Sequence, residues 1–127
     1  MQVFSKLEQR NFRAMMKIYH NPRCSKSRQT LEIIQNSGQQ PEIIEYLKTP
    51  PSATELKELL QQLNLKPEQL LRKGEQLYKE KYKGQQLSDD EWIQVMAENP
   101  VLIERPIVVK DNKAVLGRPP ENVMGLL

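Results

Sequence analysis

Cys24 is the residue whose type and position most directly suggest chemistry, because it is the only cysteine in the 127-residue chain. It stands in IYHNPRCSKSRQTLE, where a strand pattern gives way to a helix pattern. The unpaired backbone N–H groups and the dipole of a helix N-terminus favour negative charge, so we expect a reactive thiolate at neutral pH. A lone cysteine is more often a small buried hydrophobe, but this context favours a nucleophile. Any disulfide that it forms must be with another molecule.

Polar and basic side chains surround the cysteine in the sequence and include His20, Ser25, Lys26, Ser27 and Arg28. They supply hydroxyl donors and cations without a nearby carboxylate, which suits anion binding at the start of a helix. His20, the sole histidine, either fixes the loop by a hydrogen bond or favours the thiolate electrostatically. One cysteine and one histidine do not give recognisable zinc-ligand spacing, so we predict no metal site.

Three arginines are candidates for binding an oxyanion, namely Arg72, Arg105 and Arg118. Arg72, in LLRKG, lies near the end of an amphipathic helix pattern, where an arginine is usually a surface residue. Arg105 and Arg118 each precede a proline, which restricts the backbone around them. Guanidinium groups hold tetrahedral oxyanions through paired hydrogen bonds, a geometry that lysine does not copy.

The spacing of two of these arginines predicts that they face each other. Asp111-Asn112 is a plausible two-residue hairpin turn, since both residues tolerate positive φ. If the turn is centred there, Arg105 lies opposite Arg118. Like charges opposed on a sheet repel, and an anion held between the two guanidinium groups would offset that repulsion.

A β-α-β unit must position the cysteine. Residues 17–20 have a strand pattern that Asn21-Pro22 ends, and a helix pattern follows until Gly38 caps it. Residues 42–47 (EIIEYL) form the next predicted strand. The simplest arrangement of the two strands is parallel, with a right-handed crossover.

A helical insertion is predicted over residues 51–99. Ser52 with Glu55 and Ser88 with Glu91 are typical capping boxes, and Lys66-Pro67-Glu68 is predicted to start another helix. Apolar positions recur at helical spacing and include Leu56, Leu59, Leu60, Leu63, Leu70, Leu71, Trp92, Val95 and Met96. We expect no strand within this segment.

Strand patterns return at residues 105–109 and 113–117, and Pro119-Pro120-Glu121 is predicted to start a terminal helix. The order β-α-β, helices, β-β-α predicts an α/β fold with a mixed four-stranded sheet. We expect residues 1–14 to be an N-terminal extension, disordered or loosely helical. Residues 15–127 would form one domain, with a core of residues 16–50 and 100–127 around the helical insertion.

Composition places the chain among ordinary globular proteins. Hydrophobic residues make up 38% and charged residues 28% of the sequence. The net charge of +3 comes from basic residues interleaved with acidic ones, so we predict no nucleic-acid partner. No apolar run is long enough to cross a membrane, and the N-terminus lacks the features of a secretion signal. Single-cysteine usage fits a reducing compartment, so we expect a cytoplasmic protein.

Five segments together resemble the ArsC-type, glutaredoxin-coupled arsenate reductases, within the wider group of ArsC-, Spx- and YffB-like proteins. They are IYHNPRCSKSRQTLE, EIIEYLKTPP, LLRKG, NPVLIERPIVV and LGRPPE. The match runs from about Lys17 to the C-terminus, with the motifs in the family's order and spacing. The resemblance implies a thioredoxin-like fold with an inserted helical subdomain.

The resemblance also implies a role for each matching residue. Cys24 matches the nucleophile that attacks arsenate, while His20 and Ser27 match residues that help to keep the thiol ionised. The three arginines match those that hold the oxyanion and its intermediates: Arg72, Arg105 and Arg118. Pro106 falls where thioredoxin-like folds carry a cis-proline, so we predict a cis Arg105-Pro106 bond.

The implied reaction needs no bound cofactor, because glutathione is a co-substrate. The thiolate displaces an oxygen of arsenate, glutathione attacks, and arsenic is reduced to the trivalent state. Glutaredoxin then clears the resulting Cys24–glutathione disulfide. A chain without a resolving cysteine fits this route.

The sequence departs from the family pattern at Ser25 and Lys26, where glycine and threonine are usual, and at Gly74, where asparagine is usual. These differences leave open slow arsenate turnover or a glutathione-linked reaction with another oxyanion. A further alternative is a regulatory or interaction protein similar to Spx, which binds RNA polymerase. Spx-type proteins typically carry Cys-x-x-Cys where this chain has Cys24 and Ser27.

Overall fold

The computed structural model describes residues 16–127 of the chain. The extension predicted for residues 1–14 lies outside the described residues. The described chain divides into two compact units. The first contains residues up to Ile44 together with Arg105–Leu127, and the second contains Glu45–Glu104.

The first unit is built on a four-stranded sheet and helical segments that follow the predicted order. Its elements are β1 (Met16–His20), α1 (Ser25–Asn36), β2 (Glu42–Glu45), β3 (Ile107–Lys110), β4 (Lys113–Leu116) and a 3-10 helix (Pro120–Leu126). The strand order is β2-β1-β3-β4, and β3 runs antiparallel to both β1 and β4. The predicted α/β class with a mixed four-stranded sheet is confirmed.

Several element boundaries differ from the prediction. The second strand ends at Glu45 rather than at residue 47, because residues 46–48 form a turn. Strand β3 begins at Ile107, two residues after Arg105. The terminal helix is of the tighter 3-10 type, with Pro120 in its first turn, as the missing proline N–H allows.

The core of the first unit lies between the sheet and the helix that carries the cysteine. Its fully or nearly fully buried members are Met16, Ile18, Ile34, Val108 and Val123. In β1 only Lys17 is exposed, so this strand is covered on both faces over most of its length. Burial of this apolar surface is the main force holding α1 and the terminal 3-10 helix against the sheet.

The β3–β4 hairpin has the predicted register. Ile107 pairs with Leu116 and Lys110 with Lys113, which places the turn at Asp111-Asn112. Of the two turn residues, Asp111 takes a left-handed conformation, with φ of 57°. Of the two residues expected to tolerate positive φ, Asp111 is thus the one that adopts it.

The second unit is mainly helical. It contains α2 (Ala53–Leu63), α3 (Pro67–Leu70), a π-helical segment (Tyr78–Tyr82), α4 (Asp89–Glu98) and a 3-10 helix (Pro100–Leu102). The Ser52 hydroxyl accepts a hydrogen bond from the Glu55 N–H at the start of α2. At the start of α4, Ser88 and Glu91 form the reciprocal capping box that the sequence predicts.

Leu71 corrects the prediction for the second helix of this segment. The helix ends at Leu70, and Leu71 instead pairs with Ile103 in an isolated antiparallel β-bridge. The residue is buried, so the prediction that its side chain packs in the core is confirmed, whereas the prediction of a helical backbone is wrong. The bridge is formed with a residue far along the chain, which a helical pattern does not reveal.

Candidate active site

The cysteine occupies the N-cap position of α1, as predicted. Its backbone is extended (φ −95°, ψ 123°), and its N–H donates to the Asn21 carbonyl at 3.0 Å. The Cys24 carbonyl accepts the first helical hydrogen bond, from Arg28 N–H at 3.0 Å. The thiol makes no capping hydrogen bond and is partly exposed. Strand, turn and helix thus present the sulfur at a helix N-terminus, where anions are favoured.

His20 and Ser27 meet beneath the loop that precedes the cysteine. His20 Nδ1 lies 2.6 Å from Ser27 Oγ, and the same oxygen accepts a hydrogen bond from the Asn21 N–H at 3.1 Å. His20 is 6% exposed and Ser27 is fully buried. The contact ties the end of β1 to the first turn of α1, which is the geometry that the loop-fixing role predicted for His20 requires.

Asn21, which was not predicted to belong to the site, and Arg28, which was predicted only as a nearby cation, also hold this loop. Asn21 Oδ1 accepts from the Arg23 N–H at 3.0 Å, and Arg28 Nη1 donates to the Pro22 carbonyl at 3.0 Å. The Asn-Pro dipeptide was interpreted only as a strand breaker, although asparagine commonly closes such turns with its own side chain. The loop is thus hydrogen-bonded along its length.

Arg118 lies beside the sulfur. Its Nη1 is 4.0 Å from Cys24 Sγ and 3.4 Å from the Arg105 carbonyl oxygen, to which it donates. The Gly117 N–H bonds the Pro106 carbonyl at 2.9 Å, which continues the hairpin register one step toward the arginines. The first unit therefore places the Arg118 guanidinium between Cys24 Sγ and the Arg105 backbone; the register predicted the approach of the two arginine segments but not that of the cysteine.

The prolines that follow these arginines both have cis peptide bonds. The cis Arg105-Pro106 bond is confirmed, and the cis Arg118-Pro119 bond was not predicted. Between them, Gly117 packs so closely on its neighbours that a Cβ there would overlap Thr30 Oγ1 and lie 2.8 Å from Pro106 Cγ. The helix that carries the cysteine and the chain that carries Arg118 are therefore in direct contact at Thr30 and Gly117.

Arg72 belongs to the second unit, where its partners are acidic. Its guanidinium forms a close ion pair with Glu75, and its Nε lies 3.4 Å from Glu104 Oε1. The side chain is only 21% exposed, so Arg72 is not the exposed surface arginine that its helix pattern suggested. Its N–H also donates to the Leu102 carbonyl at 2.8 Å, beside the Leu71 bridge.

The charges around the thiol are basic. Within residues 16–127, no acidic side chain pairs with Arg23, Lys26 or Arg28, and these three residues are exposed. Together with Arg118 they favour an anionic ligand at the sulfur.

No helix of the described part of the chain is both long and apolar enough to cross a membrane.

Fold and site together define a thioredoxin-like α/β protein with one cysteine, set at a helix start next to an arginine-bearing hairpin. The model of the ArsC family matches residues 19–126, and the chain belongs to this family. The resemblance to the ArsC family stated from the motifs is thereby confirmed.

Individual relatives cover most of the chain. It is 48% identical over 114 residues to the uncharacterized protein YfgD of Escherichia coli K12, covering 88% of this chain and 96% of that one. It is 41% identical over 114 residues to an arsenate reductase of Neisseria meningitidis, covering 88% and 97%. Among solved structures, the arsenate reductase from Vibrio cholerae is 54% identical, with a TM-score of 0.85 and coverage of 88% and 97%.

Proposed function

We propose that this protein reduces arsenate to arsenite, with Cys24 as nucleophile and with glutathione and glutaredoxin as the source of electrons. The observation that carries the proposal is the position of the Arg118 guanidinium, 4.0 Å from Cys24 Sγ. A cation at that distance stabilises a thiolate and the incoming oxyanion alike. Relatives at 41% identity and above that are named arsenate reductases give further support.

In the first step the Cys24 thiolate attacks arsenic and displaces one oxygen, which leaves as water after taking up protons from the solvent. Arg105 and Arg118 offset the negative charge of the oxyanion during this exchange. His20 and Ser27 hold the loop so that the sulfur stays at the helix N-terminus. Arg72 enters the proposal through the family resemblance alone.

In the second step a glutathione thiol supplies the second of the two sulfur atoms that form a disulfide. Oxidation of two thiols to one disulfide releases two electrons, which is what reduction of arsenic from the pentavalent to the trivalent state consumes. The products are arsenite and a Cys24–glutathione disulfide. A glutaredoxin thiol then exchanges with this disulfide and regenerates Cys24 for the next cycle.

A coupled assay tests the proposal. Purified protein is mixed with arsenate, glutathione, glutaredoxin, glutathione reductase and NADPH, and NADPH oxidation is followed. We expect turnover that depends on each component and disappears in Cys24→Ser, whose fold is checked by circular dichroism. A folded wild-type protein without turnover would contradict arsenate reduction and favour the Spx-like alternative. Undiminished turnover without glutaredoxin would contradict only the proposed electron source.

Arginine variants test the anion site. We expect Arg118→Ala to raise the KM for arsenate at least 10-fold, because a charge-assisted hydrogen bond contributes about 1.5–3 kcal/mol. Lys113→Ala is the matched control, because this exposed basic side chain lies at the turn end of the β3–β4 hairpin, at the opposite end from the arginines. Equal effects of the two substitutions would contradict a specific role for Arg118.

A further inference from the structure

The backbone that carries Arg118 is held at three successive carbonyl groups. Asn122 Nδ2 donates to the carbonyl of Leu116 at 3.2 Å and to that of Arg118 at 3.1 Å. The carbonyl between them, that of Gly117, accepts from Thr30 Oγ1 at 3.3 Å. A short segment at a strand end is thus fixed by side chains from two different elements.

Asn122 is itself well placed to hold this segment. Its backbone N–H donates to the Pro119 carbonyl at 3.0 Å, in the first turn of the 3-10 helix Pro120–Leu126. A side-chain amide carries two N–H donors on one nitrogen, and both have a carbonyl acceptor here. Aspartate has the same shape but only acceptors when ionised, and leucine has neither, so the arrangement requires an amide.

We propose that Asn122 is a positioning residue that keeps the Arg118 guanidinium beside Cys24. The amide fixes the carbonyls on both sides of Gly117, and this sets the direction in which the Arg118 side chain leaves the backbone. Without it, the long arginine side chain samples positions farther from the sulfur. The consequence for arsenate rests on the proposed function, whereas the positioning of a cation at the thiol does not.

Alkylation of Cys24 measures that positioning without arsenate. Iodoacetate is an anion and iodoacetamide is neutral, so the ratio of their rates reports the positive charge near the sulfur and cancels changes in the thiolate fraction. We expect Arg118→Ala to lower the ratio about 5-fold, the factor that one unit charge at 4 Å gives in water. Asn122→Leu should lower it about 2- to 4-fold.

The control and the double variant separate positioning from general damage. Asn36→Leu alters an exposed asparagine at the other end of α1 and should leave the ratio unchanged. In an Arg118→Ala background, Asn122→Leu should have no further effect, because it acts through the arginine. A wild-type ratio in Asn122→Leu, or a further decrease in the double variant, would overturn the proposal. If the leucine variant does not fold, Asn122→Ser removes the amide without adding apolar surface and is judged by the same criteria.

Arsenate kinetics then connect the positioning to turnover. Asn122→Leu should raise the KM for arsenate while changing kcat less than 2-fold, as expected for weaker oxyanion binding. An altered alkylation ratio in a protein that does not reduce arsenate would refute the proposed function and retain the positioning role. If the wild-type protein reduces arsenate but Asn122→Leu leaves the alkylation ratio unaltered, the positioning role is refuted and the proposed function is retained.

Discussion

Replacement of Gly117 by alanine is the sharpest structural test of how the cysteine and Arg118 are held together. The added Cβ would overlap Thr30 Oγ1 and lie 2.9 Å from Thr30 Cγ2 and 2.8 Å from Pro106 Cγ. Real Cβ atoms essentially never approach other atoms so closely, so something must move. The obstruction is steric, because Gly117 is not among the residues with positive φ.

The expected cost combines two effects. Overpacking a tight contact costs about 1–3 kcal/mol. Separation of α1 from the strand end also weakens the contact of Thr30 Oγ1 with the Gly117 carbonyl at 3.3 Å, which contributes less than the about 1 kcal/mol of a full hydrogen bond because the single hydroxyl proton is shared with the Lys26 carbonyl at 2.8 Å. We therefore expect a loss of about 1–4 kcal/mol in the free energy of unfolding, or roughly 4–15 °C in Tm for a chain of this length.

Urea denaturation and thermal melting measure this loss. Gly125→Ala is the matched control, because a Cβ there meets nothing within 4 Å and the change should be nearly neutral or slightly stabilising. Thr30→Ala combined with Gly117→Ala removes both threonine atoms from the overlap, so the double variant should lose less than the two single losses together. If Gly117→Ala is as stable as Gly125→Ala, the steric reasoning is wrong.

Three further predictions concern stability. Ser27→Ala leaves the buried Asn21 N–H without its acceptor and should cost about 1–3 kcal/mol in urea unfolding, so a loss below 0.5 kcal/mol, roughly the scatter of neutral surface changes, would contradict this account. Hydrogen bonds from the Ser88 backbone, and secondarily from its side chain, lower the pKa of Glu91 from 4.5. Because the folded pKa lies below the unfolded one, the resulting stability is present above pH 4.5 and is lost as pH falls through the folded value. The difference in free energy of unfolding between wild type and Glu91→Gln should therefore shrink on acidification. A difference that does not change with pH would contradict the role of these hydrogen bonds. Val108→Ala, at a fully buried position, should lower the free energy of unfolding by about 2–3 kcal/mol, and a wild-type melting curve would rule out its place in the core.

The parts of the site that could be predicted from sequence are those set by local patterns. The break at Asn21-Pro22 and the change of period after it located Cys24 at a helix start. Hairpin register follows from the turn, so the approach of the segments that carry Arg105 and Arg118 could be predicted from the sequence. Both inferences depend on contacts between residues close in sequence, or on a regular repeat that extends from them.

What could not be predicted depends on contacts between distant parts of the chain. The ion pair of Arg72 with Glu104 and the bridge of Leu71 with Ile103 each join residues about thirty positions apart. The contact of Thr30 with Gly117 spans 87 positions. A glycine in a strand end signals a close approach but does not identify its partner. Such pairings are fixed by packing rather than by periodicity.

The β3–β4 hairpin makes the site far more sensitive to insertions than to substitutions. Its turn lies at one end of the two strands and its arginines lie at the other, joined only by the pairing of Ile107 with Leu116 and of the residues between. Many residues can replace Asn112 without altering that pairing. One residue inserted in β4 would shift the register and turn Arg118 to the opposite face of the sheet, away from the sulfur. The geometry of the site therefore depends more on the length of this hairpin than on the identity of its turn residues.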